Sequence, residues 1–543
     1  MVSAIGMKPS TFRLTIASTL AGALALGGIA ACTDGPERGG TLRVIVPAEP
    51  PSFDAHQETT FTLVQAIGPF YSTLVMPNPE NPGDPTDFVC DLCVGGVPEP
   101  TDGGTVYTFG LREDALFHDG TPVTAVDVKA SLDKIIDPPD GVRSPRKAHF
   151  GMVESIDVRD EHTVVFRLAE PSGAFLPALA NPFNFIYPKA RLDRDIRWFE
   201  RNILGSGPFR LAGRAPGSFV SGTRFDAYYM RGRPYLDGFR AIFASSMAEQ
   251  IEAIRTGRAD IQFRGFPPAG RDELVDALGE GISVQEGDWD CVLLVVPNPE
   301  REPFDDVRVR RALTLAIDRW GASSLLSRVA TVKPVGGIVF PGHPLAATRE
   351  ELERIAGYWP DPEESRAEAR RLLEEAGVGN LSFELHNRAV EQPHEVAGAW
   401  LVEQWRQIGL DVEQRLQPTG PYYAALRGTK DYDVAMEFEC GAVVNPLLDT
   451  ARFASADLAQ GNDAGRTDRE AAVLYRAMLG ETDPVKQREA MRAYETYILD
   501  EVAHRLVMLW GHRIVPHRSH VRGWGIGPSH YVGNHLLTVW LDE

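Results

Sequence analysis

Side chains that could act in catalysis occur in the sequence, but the companions that each chemistry needs do not accompany them. Ser131 and Lys134 have the Ser-x-x-Lys spacing of acyl-transfer enzymes, in which the serine is the nucleophile. They fall inside a predicted helix, and neither Ser-Asp-Asn nor Lys-Thr-Gly accompanies them. Ser206 stands in Gly-Ser-Gly rather than Gly-x-Ser-x-Gly, and His394-Glu395 lacks the second histidine of a His-Glu-x-x-His zinc site. We therefore expect a protein that is not an enzyme.

The cysteines indicate disulfide chemistry. Setting aside Cys32 near the amino terminus leaves Cys90, Cys93, Cys291 and Cys440, an even number that is typical of disulfides in an exported protein. The spacing of Cys90 and Cys93 also occurs in half of a zinc site and in redox pairs. No second Cys-x-x-Cys or paired histidine follows at ligand spacing, and the surrounding sequence is rich in Pro and Gly rather than thioredoxin-like. We favour a local structural disulfide there.

The remaining residues do not indicate a metal or cofactor site. The 13 histidines are scattered, and His512, His517 and His520 lack the tight spacing that would argue for a first-row metal. We therefore expect no metal ion and no cofactor.

The amino terminus predicts export. Lys8 and Arg13 precede an uncharged, weakly apolar stretch at 14–31, as in a secretory signal peptide. The stretch ends in Ile-Ala-Ala-Cys, which resembles the lipobox of bacterial lipoproteins. That resemblance implies a signal peptide at 1–31, a lipid on Cys32 and a short tether at 32–40. A membrane-spanning helix is the alternative, but this stretch contains three glycines and is short of the roughly 20 apolar residues that a span requires.

The net charge excludes one class of partner. The formal charge is −20 over 543 residues, and no basic stripe offsets it locally. Such a surface repels a phosphate backbone, so we expect no nucleic-acid partner.

The location predicted is outside the cytoplasm, with the chain anchored by lipid alone to the outer face of the cytoplasmic membrane.

The elements that must position any site follow a mixed α/β pattern. Thr124 opens a helix as in a capping box, Asp361-Pro362 opens another that ends near Gly377, and Asp483-Pro484 opens a third. A further helix is predicted over 395–408. Apolar residues alternate as in half-buried strands at 42–46, 107–111 and 164–168. At this length, two or three domains are expected.

Several of these segments together resemble the family 5 extracytoplasmic solute-binding proteins, which are the oligopeptide-, dipeptide- and nickel-binding components of ABC importers. Residues 111–128 read LREDALFHDGTPVTAVDV and are similar to the family pattern LRkgvkFhdGtPltAeDV. Other segments match in the same order along almost all of the mature chain, namely 165–171, 205–209, 233–237, 253–261, 303–313, 316–318, 407–412 and 431–433.

The resemblance implies a fold and its division. It implies an α/β, bilobal, periplasmic-binding-protein-like fold of the large, three-subdomain type, with the ligand in a cleft between two lobes that close by a hinge. By analogy the first lobe comprises 40–70, 204–289 and 508–543. An inserted subdomain takes 71–203, and the second lobe takes 290–507.

The resemblance also points to the segment 438–446 as part of the cleft. In peptide binders this segment carries Trp, Cys and then an acidic residue for the α-amine of the peptide. Here Cys440 is retained, which supports a Cys291–Cys440 disulfide, but Glu439 stands at the Trp position and Ala442 at the acidic position. The amine contact that is usual in the family is therefore missing.

The carboxylate contact departs from the pattern as well. Dipeptide binders carry an arginine just before the helix that corresponds to 397–408, where this chain has Glu395, with Arg388 as the nearest upstream cation. Glu395, Glu437 and Glu439 could form an acidic pocket for a cationic ligand, although carboxylates mostly face solvent. Trp289, Tyr422 and Trp510 are candidate apolar walls, although aromatic residues often simply fill a core.

The function implied is that of the substrate-binding lipoprotein of an ABC importer. It would act as a monomer that captures a small peptide or similar polar solute and delivers it to the permease subunits. The alternatives are a non-peptide ligand, such as a cationic solute or a nickel chelate, and recruitment of the fold as a sensor or regulator in the cell envelope.

Overall fold

The computed structural model of the chain describes residues 35–456, 465–481 and 483–542. Within these ranges, the residues from 37 onward form one compact unit. The predicted signal peptide and Cys32 lie outside the described residues. None of the helices in the described ranges combines the length and apolar character needed to cross a membrane.

The strands alternate with helices along the chain. In order, the strands are β1 (Thr41–Val46), β2 (Val75–Pro77), β3 (Phe88–Cys90), β4 (Cys93–Val94), β5 (Val106–Leu111), β6 (Val153–Asp160), β7 (Thr163–Leu168), β8 (Phe209–Ala215), β9 (Phe219–Arg224), β10 (Gly238–Phe243), β11 (Ile282–Pro297), β12 (Ser382–Arg388), β13 (Asp411–Gln417), β14 (Val434–Cys440), β15 (Leu506–Arg518), β16 (Val521–Arg522) and β17 (Trp540–Leu541).

The α-helices are α1 (Phe61–Ile67), α2 (Ala125–Ile136), α3 (Phe175–Leu179), α4 (Lys189–Leu192), α5 (Met247–Arg255), α6 (Pro268–Leu278), α7 (Val307–Leu315), α8 (Arg319–Leu326), α9 (Arg349–Leu352), α10 (Pro362–Glu375), α11 (Val396–Arg406), α12 (Thr419–Tyr423), α13 (Pro446–Asp449), α14 (Arg469–Gly480) and α15 (Pro484–Thr496).

The helix boundaries predicted from capping residues are confirmed. At the start of α2, the backbone N–H of Thr124 donates to Oδ2 of Asp127 at 2.9 Å, as a capping box requires. At the start of α10, Oδ1 of Asp361 accepts from the backbone N–H of Glu363 at 2.9 Å. Gly377 follows this helix with φ of 76°, a left-handed conformation that suits glycine. Local side-chain chemistry therefore sets where these helices begin and end.

Among the described residues, the sheets of four or five strands each have a different strand order. A four-stranded sheet has the order β1-β10-β9-β8, and another has the order β4-β5-β7-β6. A five-stranded sheet has the order β13-β12-β14-β11-β15. Parallel pairing of β12 with both β13 and β14 and antiparallel pairing of β11 with β14 and β15 make this last sheet mixed.

Two long strands, β11 and β15, link separate apolar cores. They pair antiparallel from Ile282 opposite Arg518 to Val295 opposite Leu506, and the register shifts between Trp289 and Val292. One end of the pair contributes Val515 to the core that contains the β1–β10 sheet. The other end contributes Leu293 and Leu509 to the core beneath the five-stranded sheet. The β11–β15 pair therefore runs continuously from the core of the β1–β10 sheet to the core beneath the five-stranded sheet.

The apolar cores bear on the division into lobes. The core around Leu42 also includes Phe183 and Tyr187, which the resemblance assigns to the inserted subdomain at 71–203. The remainder of that stretch packs mainly in a core of its own, which contains Phe109 and Phe166. The exact boundaries of the lobes and the inserted subdomain stay a prediction.

Candidate ligand-binding site

Trp289 lies at the point where the register of β11 against β15 shifts. Its indole is hydrogen-bonded to His530, near the carboxyl terminus. The Nε1 of Trp289 donates to Nδ1 of His530 at 2.9 Å, so that nitrogen carries no proton. Burial holds the pKa of His530 well below its ordinary value, which keeps the imidazole neutral. Phe438 lies edge-on to the indole, with the ring centroids 5.5 Å apart. These contacts fix the orientation of Trp289.

Arg264 approaches the same indole from the stretch between β10 and α6. Its Cζ lies 4.7 Å from the ring centroid of Phe61 and 5.3 Å from that of Trp289, as in cation–π contacts. Its backbone is fixed by Arg513 of β15, whose Nε donates to the carbonyl oxygen of Arg264 at 3.1 Å. Burial lowers the pKa of Arg264 to about 10, and nearby Arg388 adds to the decrease. Arg264 was not among the site residues predicted from the sequence.

Arg388, which was predicted from the sequence, ends β12. Its Nη2 donates to Oγ1 of Thr419 at 3.1 Å, and its Nη1 lies 3.4 Å from Nε2 of His394. His394 is anchored in turn through Nδ1, 3.1 Å from Oδ1 of Asn387. Burial, together with the neighbouring guanidinium groups, lowers the pKa of His394 to about 3, so it is neutral and accepts from Arg388. The Cζ of Arg388 also lies 5.5 Å from the ring centroid of Tyr423.

The two predicted acidic residues on β14 are balanced by arginines. Glu439 forms ion pairs with Arg505 and, at 3.6 Å, with Arg452. Burial alone would raise the pKa of Glu439, but Arg505 and Arg452 hold it below its ordinary value. An Oε2 of Glu437 lies 3.9 Å from Nη2 of Arg427. For Glu437 and Glu439, the acidic pocket expected from the sequence is therefore corrected to ion pairs within the protein, because Arg427, Arg452 and Arg505 lie against these carboxylates.

The other predicted residues have mixed placements. Trp510 is only 1% exposed and packs in a core, and its Nε1 donates to the carbonyl oxygen of Gly337 at 3.0 Å. Tyr422 is fully buried, and its hydroxyl donates to the carbonyl oxygen of Met436 at 2.8 Å. Glu395 is half-buried directly before α11. Trp510 and Tyr422 therefore have packing roles rather than surfaces open to a ligand.

Two further carboxyl groups lie near Ala442, the position at which peptide binders of the family carry the acid for the peptide amine. Asp290 and Asp449 flank Gly441, and a Cβ on that glycine would clash with both. Burial and the neighbouring Asp449 raise the pKa of Asp290 well above its ordinary value. Burial also raises the pKa of Asp449 to about 6, although Arg452 opposes the shift. This pair therefore holds a proton more readily than ordinary carboxylates.

The cysteines are bonded in the pairs expected from the sequence. Cys291 and Cys440 stand directly opposite each other on β11 and β14, with their Cα atoms 3.9 Å apart. Cys90 and Cys93 are joined across a tight turn, with their Cα atoms 4.9 Å apart. The Cys291–Cys440 bond lies one residue from Asp290 and from Glu439, so it holds together the strands that carry the site.

The Ser-x-x-Lys pair has a structural role. The Nζ of Lys134 lies 2.5 Å from Oδ2 of Asp54, and both side chains are almost fully buried. The hydroxyl of Ser131 donates to the carbonyl oxygen of Asp127 and accepts from the backbone N–H of Tyr187, both at 2.8 Å. These contacts attach α2 to its neighbours and leave neither side chain available as a catalytic group.

The chain is similar to several known proteins. The chain is 27% identical over 333 residues to the glutathione-binding protein GsiB of Escherichia coli strain K12, and the match covers 60% of this chain and 61% of that protein. Among solved structures, the DppA protein of Helicobacter pylori in complex with the peptide STSA has a TM-score of 0.77 at 20% identity, covering 93% of this chain and 99% of that one.

Other solved structures are similar. The protein AgaA of A. tumefacien R10 in complex with agropinic acid has a TM-score of 0.77 at 24% identity and covers 93% of this chain and 99% of that one. These matches show that the chain has the bilobal α/β fold of periplasmic binding proteins, as predicted. A family model described as bacterial extracellular solute-binding proteins, family 5 Middle, matches residues 95–454. The chain therefore belongs to the family 5 bacterial extracellular solute-binding proteins.

Proposed function

We propose that the chain captures a small peptide or a similar polar solute and delivers it to the permease subunits of an ABC importer. The observation that carries the proposal is the family match over 95–454, a span that includes Trp289, Arg388 and the strands beside them. Trp289 contacts both Arg264 and His530, which lie in different parts of the chain. These contacts bring residues from distant parts of the chain together beside the long strand β11, an arrangement that suits a site enclosing a small ligand.

The related proteins support this class of ligand without fixing its identity. GsiB is named as a glutathione binder, and the DppA structure holds a short peptide. The AgaA structure holds agropinic acid, so this fold also accommodates solutes that are not peptides. The chain spans 61% of the length of the curated relatives it matches.

The location and division of the chain belong to the same proposal. The chain is exported, acylated on Cys32 and held by that lipid at the outer face of the cytoplasmic membrane as a monomer. Its first lobe comprises 40–70, 204–289 and 508–543, with 71–203 inserted, and its second lobe comprises 290–507. The lipobox-like residues and the family resemblance support these statements.

Native mass spectrometry of the chain from residue 40, purified without denaturation, tests the binding role. A set of co-purifying masses that match short peptides is the expected result, and a single non-peptide mass would replace the peptide by another solute. Deletion of the gene should reduce uptake of the solute so identified. Unchanged uptake would contradict a transport role and would favour a sensor.

A further inference from the structure

The segment 441–449, which follows β14 and ends with α13, is called the latch segment below. At its start, the hydroxyl of Ser529 lies 3.1 Å from the carbonyl oxygen of Gly441 and 2.9 Å from that of Ala442. The backbone N–H of Gly441 also donates to the carbonyl oxygen of Asp290 on β11 at 2.9 Å. The start of the latch segment is therefore attached both to β11 and to the carboxyl-terminal stretch of the chain.

The end of the latch segment packs against the turn before α3 and the start of that helix. Gly173 leaves room for Leu447, because a Cβ at this glycine would lie 3.2 Å from Cδ1 of the leucine. Leu447 shares an apolar core with Ala174. Leu448 packs against a different core, which contains Phe175. The latch segment therefore joins β11 and the carboxyl-terminal stretch to residues that the resemblance assigns to the inserted subdomain.

A pair of acidic side chains lies against Gly441 of the latch segment. A Cβ at this position would collide with Oδ2 of Asp290 and would lie 2.7 Å from Oδ1 of Asp449, so the two carboxyl groups converge on the space that the glycine leaves. Both carboxyl oxygens of Asp290 are buried, and no donor among the described residues hydrogen-bonds to them. An ionised carboxylate in such a position is unfavourable, whereas a proton shared with Asp449 supplies the missing hydrogen bond.

The charged and titratable groups around this pair favour one shared proton. Arg452 lies 3.4 Å from Oδ1 of Asp449 but also pairs with Glu439, so its charge is divided between two acids. Tyr531 of the carboxyl-terminal stretch interacts with Asp290, and burial raises the pKa of its hydroxyl to about 12, which keeps it neutral. Burial and the neighbouring Asp449 raise the pKa of Asp290 well above its ordinary value. The side chain of Asp449 is 12% exposed, which gives the shared proton a route to solvent.

We propose that the latch segment is a pH-sensitive closure of the candidate site. With one proton shared between Asp290 and Asp449, the latch segment stays attached to β11 and holds the inserted subdomain against it. Loss of that proton leaves two like charges that repel each other. Asp290 adjoins Trp289, so displacement of the latch segment from β11 opens the candidate site.

This inference rests on the proposed function, because it assigns a means of regulation to the same site. The folded chain holds the proton below the raised pKa of the pair and loses it as the pH rises through about 6. Closure, and with it retention of the solute, is therefore favoured at mildly acidic pH. Release is favoured as the pH rises.

Distances between two spin labels on the chain from residue 40, without ligand, test this closure. The labels are placed on Glu170→Cys and Arg476→Cys, both at exposed positions on either side of the latch segment. The four native cysteines of this chain form two disulfides, so a thiol-specific label reaches only the introduced cysteines. From pH 4.5 to pH 8, the population at longer distance should increase about threefold or more. A distance distribution that does not change with pH would overturn the inference.

Variants assign the response to the acid pair and to the packing of the latch segment. Asp290→Asn, whose amide donates to Asp449 at any pH, should keep the short distance at pH 8. The exposed Asp226→Asn is the matched control and should respond to pH as the wild type does. Leu448→Ala, which removes apolar contact with the core around Phe175, should show the longer distance already at pH 4.5.

Either of two results with these variants contradicts the inference. The first is a pH response that persists in Asp290→Asn, which would place the titrating group elsewhere. The second is a Leu448→Ala variant that keeps the wild-type distances at pH 4.5, which would mean that the latch segment does not hold the two sides together. No ligand enters these measurements, so their failure leaves the transport role to be decided by the uptake experiment.

Discussion

The carboxylate of Glu439 lies between two arginines and is paired with Arg505 on one oxygen and with Arg452 on the other. From its position in the sequence, Glu439 was a candidate contact for a cationic ligand, whereas in the structure it pairs with two arginines of the protein. A residue that was considered for an acidic pocket binding a cationic ligand here compensates buried positive charge within the protein. The same strand, β14, thus contributes structural ion pairs where a ligand contact was expected.

The first prediction concerns Glu439→Gln. Removal of the negative charge between Arg505 and Arg452 should lower the free energy of unfolding by roughly 3–5 kcal/mol, because buried guanidinium groups then repel each other. Chemical denaturation measures the change, and the exposed Glu413→Gln serves as a control that should stay within about 0.5 kcal/mol of the wild type. Unchanged stability with weaker binding of spermidine would instead make Glu439 a ligand contact.

The second prediction concerns Trp510→Phe. The variant loses the hydrogen bond to the carbonyl oxygen of Gly337 and leaves that oxygen buried, which should cost roughly 1–3 kcal/mol of unfolding free energy. Ligand affinity should change by less than about threefold, since the indole packs in a core. Thermal unfolding and calorimetric titration measure the two quantities. A large loss of affinity at wild-type stability would restore Trp510 as a wall of the cleft.

The third prediction concerns pH and the pair Asp290 and Asp449. Burial raises the pKa of both groups, to about 6 for Asp449, whereas an unfolded aspartate titrates near 3.8. The folded chain therefore binds more protons than the unfolded chain above pH 4, and its stability falls as the pH rises through 6. Asp290→Asn removes part of this loss, so its melting temperature relative to the wild type should increase from pH 4.5 to pH 8.

Melting curves at pH 4.5, 6 and 8 test this dependence. Asp226→Asn, at an exposed position, is the matched control and should show the same difference from the wild type at every pH. A difference between Asp290→Asn and the wild type that does not vary with pH would mean that Asp290 stays ionised in the folded protein.

The fourth prediction concerns Cys32→Ser. If a lipid on this cysteine is the membrane anchor, the variant should leave the membrane fraction and appear in the soluble extracytoplasmic fraction, with its ligand binding unchanged. Cell fractionation and intact mass measure the location and the absence of the lipid. A variant that stays with the membrane would favour a retained helix at 14–31.

The parts of the fold that depend on local chemistry were predictable, whereas the pairing of charges was not. The starts of α2 and α10 follow from Thr124 and Asp361, whose side chains act within three residues. In contrast, Glu439 and Arg505 are 66 residues apart. No periodicity links residues at such a separation, so the sequence left open an acidic pocket for a cationic ligand.

Arg264 was missed for the same physical reason. Its position depends on Arg513, which is 249 residues further along the chain and contacts the backbone rather than the side chain of Arg264. The family resemblance directs attention to β14 and to the residues before α11, and neither segment contains Arg264. An unexplained arginine between β10 and α6 was the only signal available, and it has no distinguishing spacing.

The pairing of β11 with β15 has a consequence for the order of folding. β15 begins at Leu506, more than 200 residues after β11, and it supplies an edge to the five-stranded sheet as well as Val515 to the other core. Neither half can complete its core until the last tenth of the polypeptide is available, and such distant contacts form slowly. Completion of both cores therefore waits for β15, and cleavage just before β15 would leave both halves incomplete.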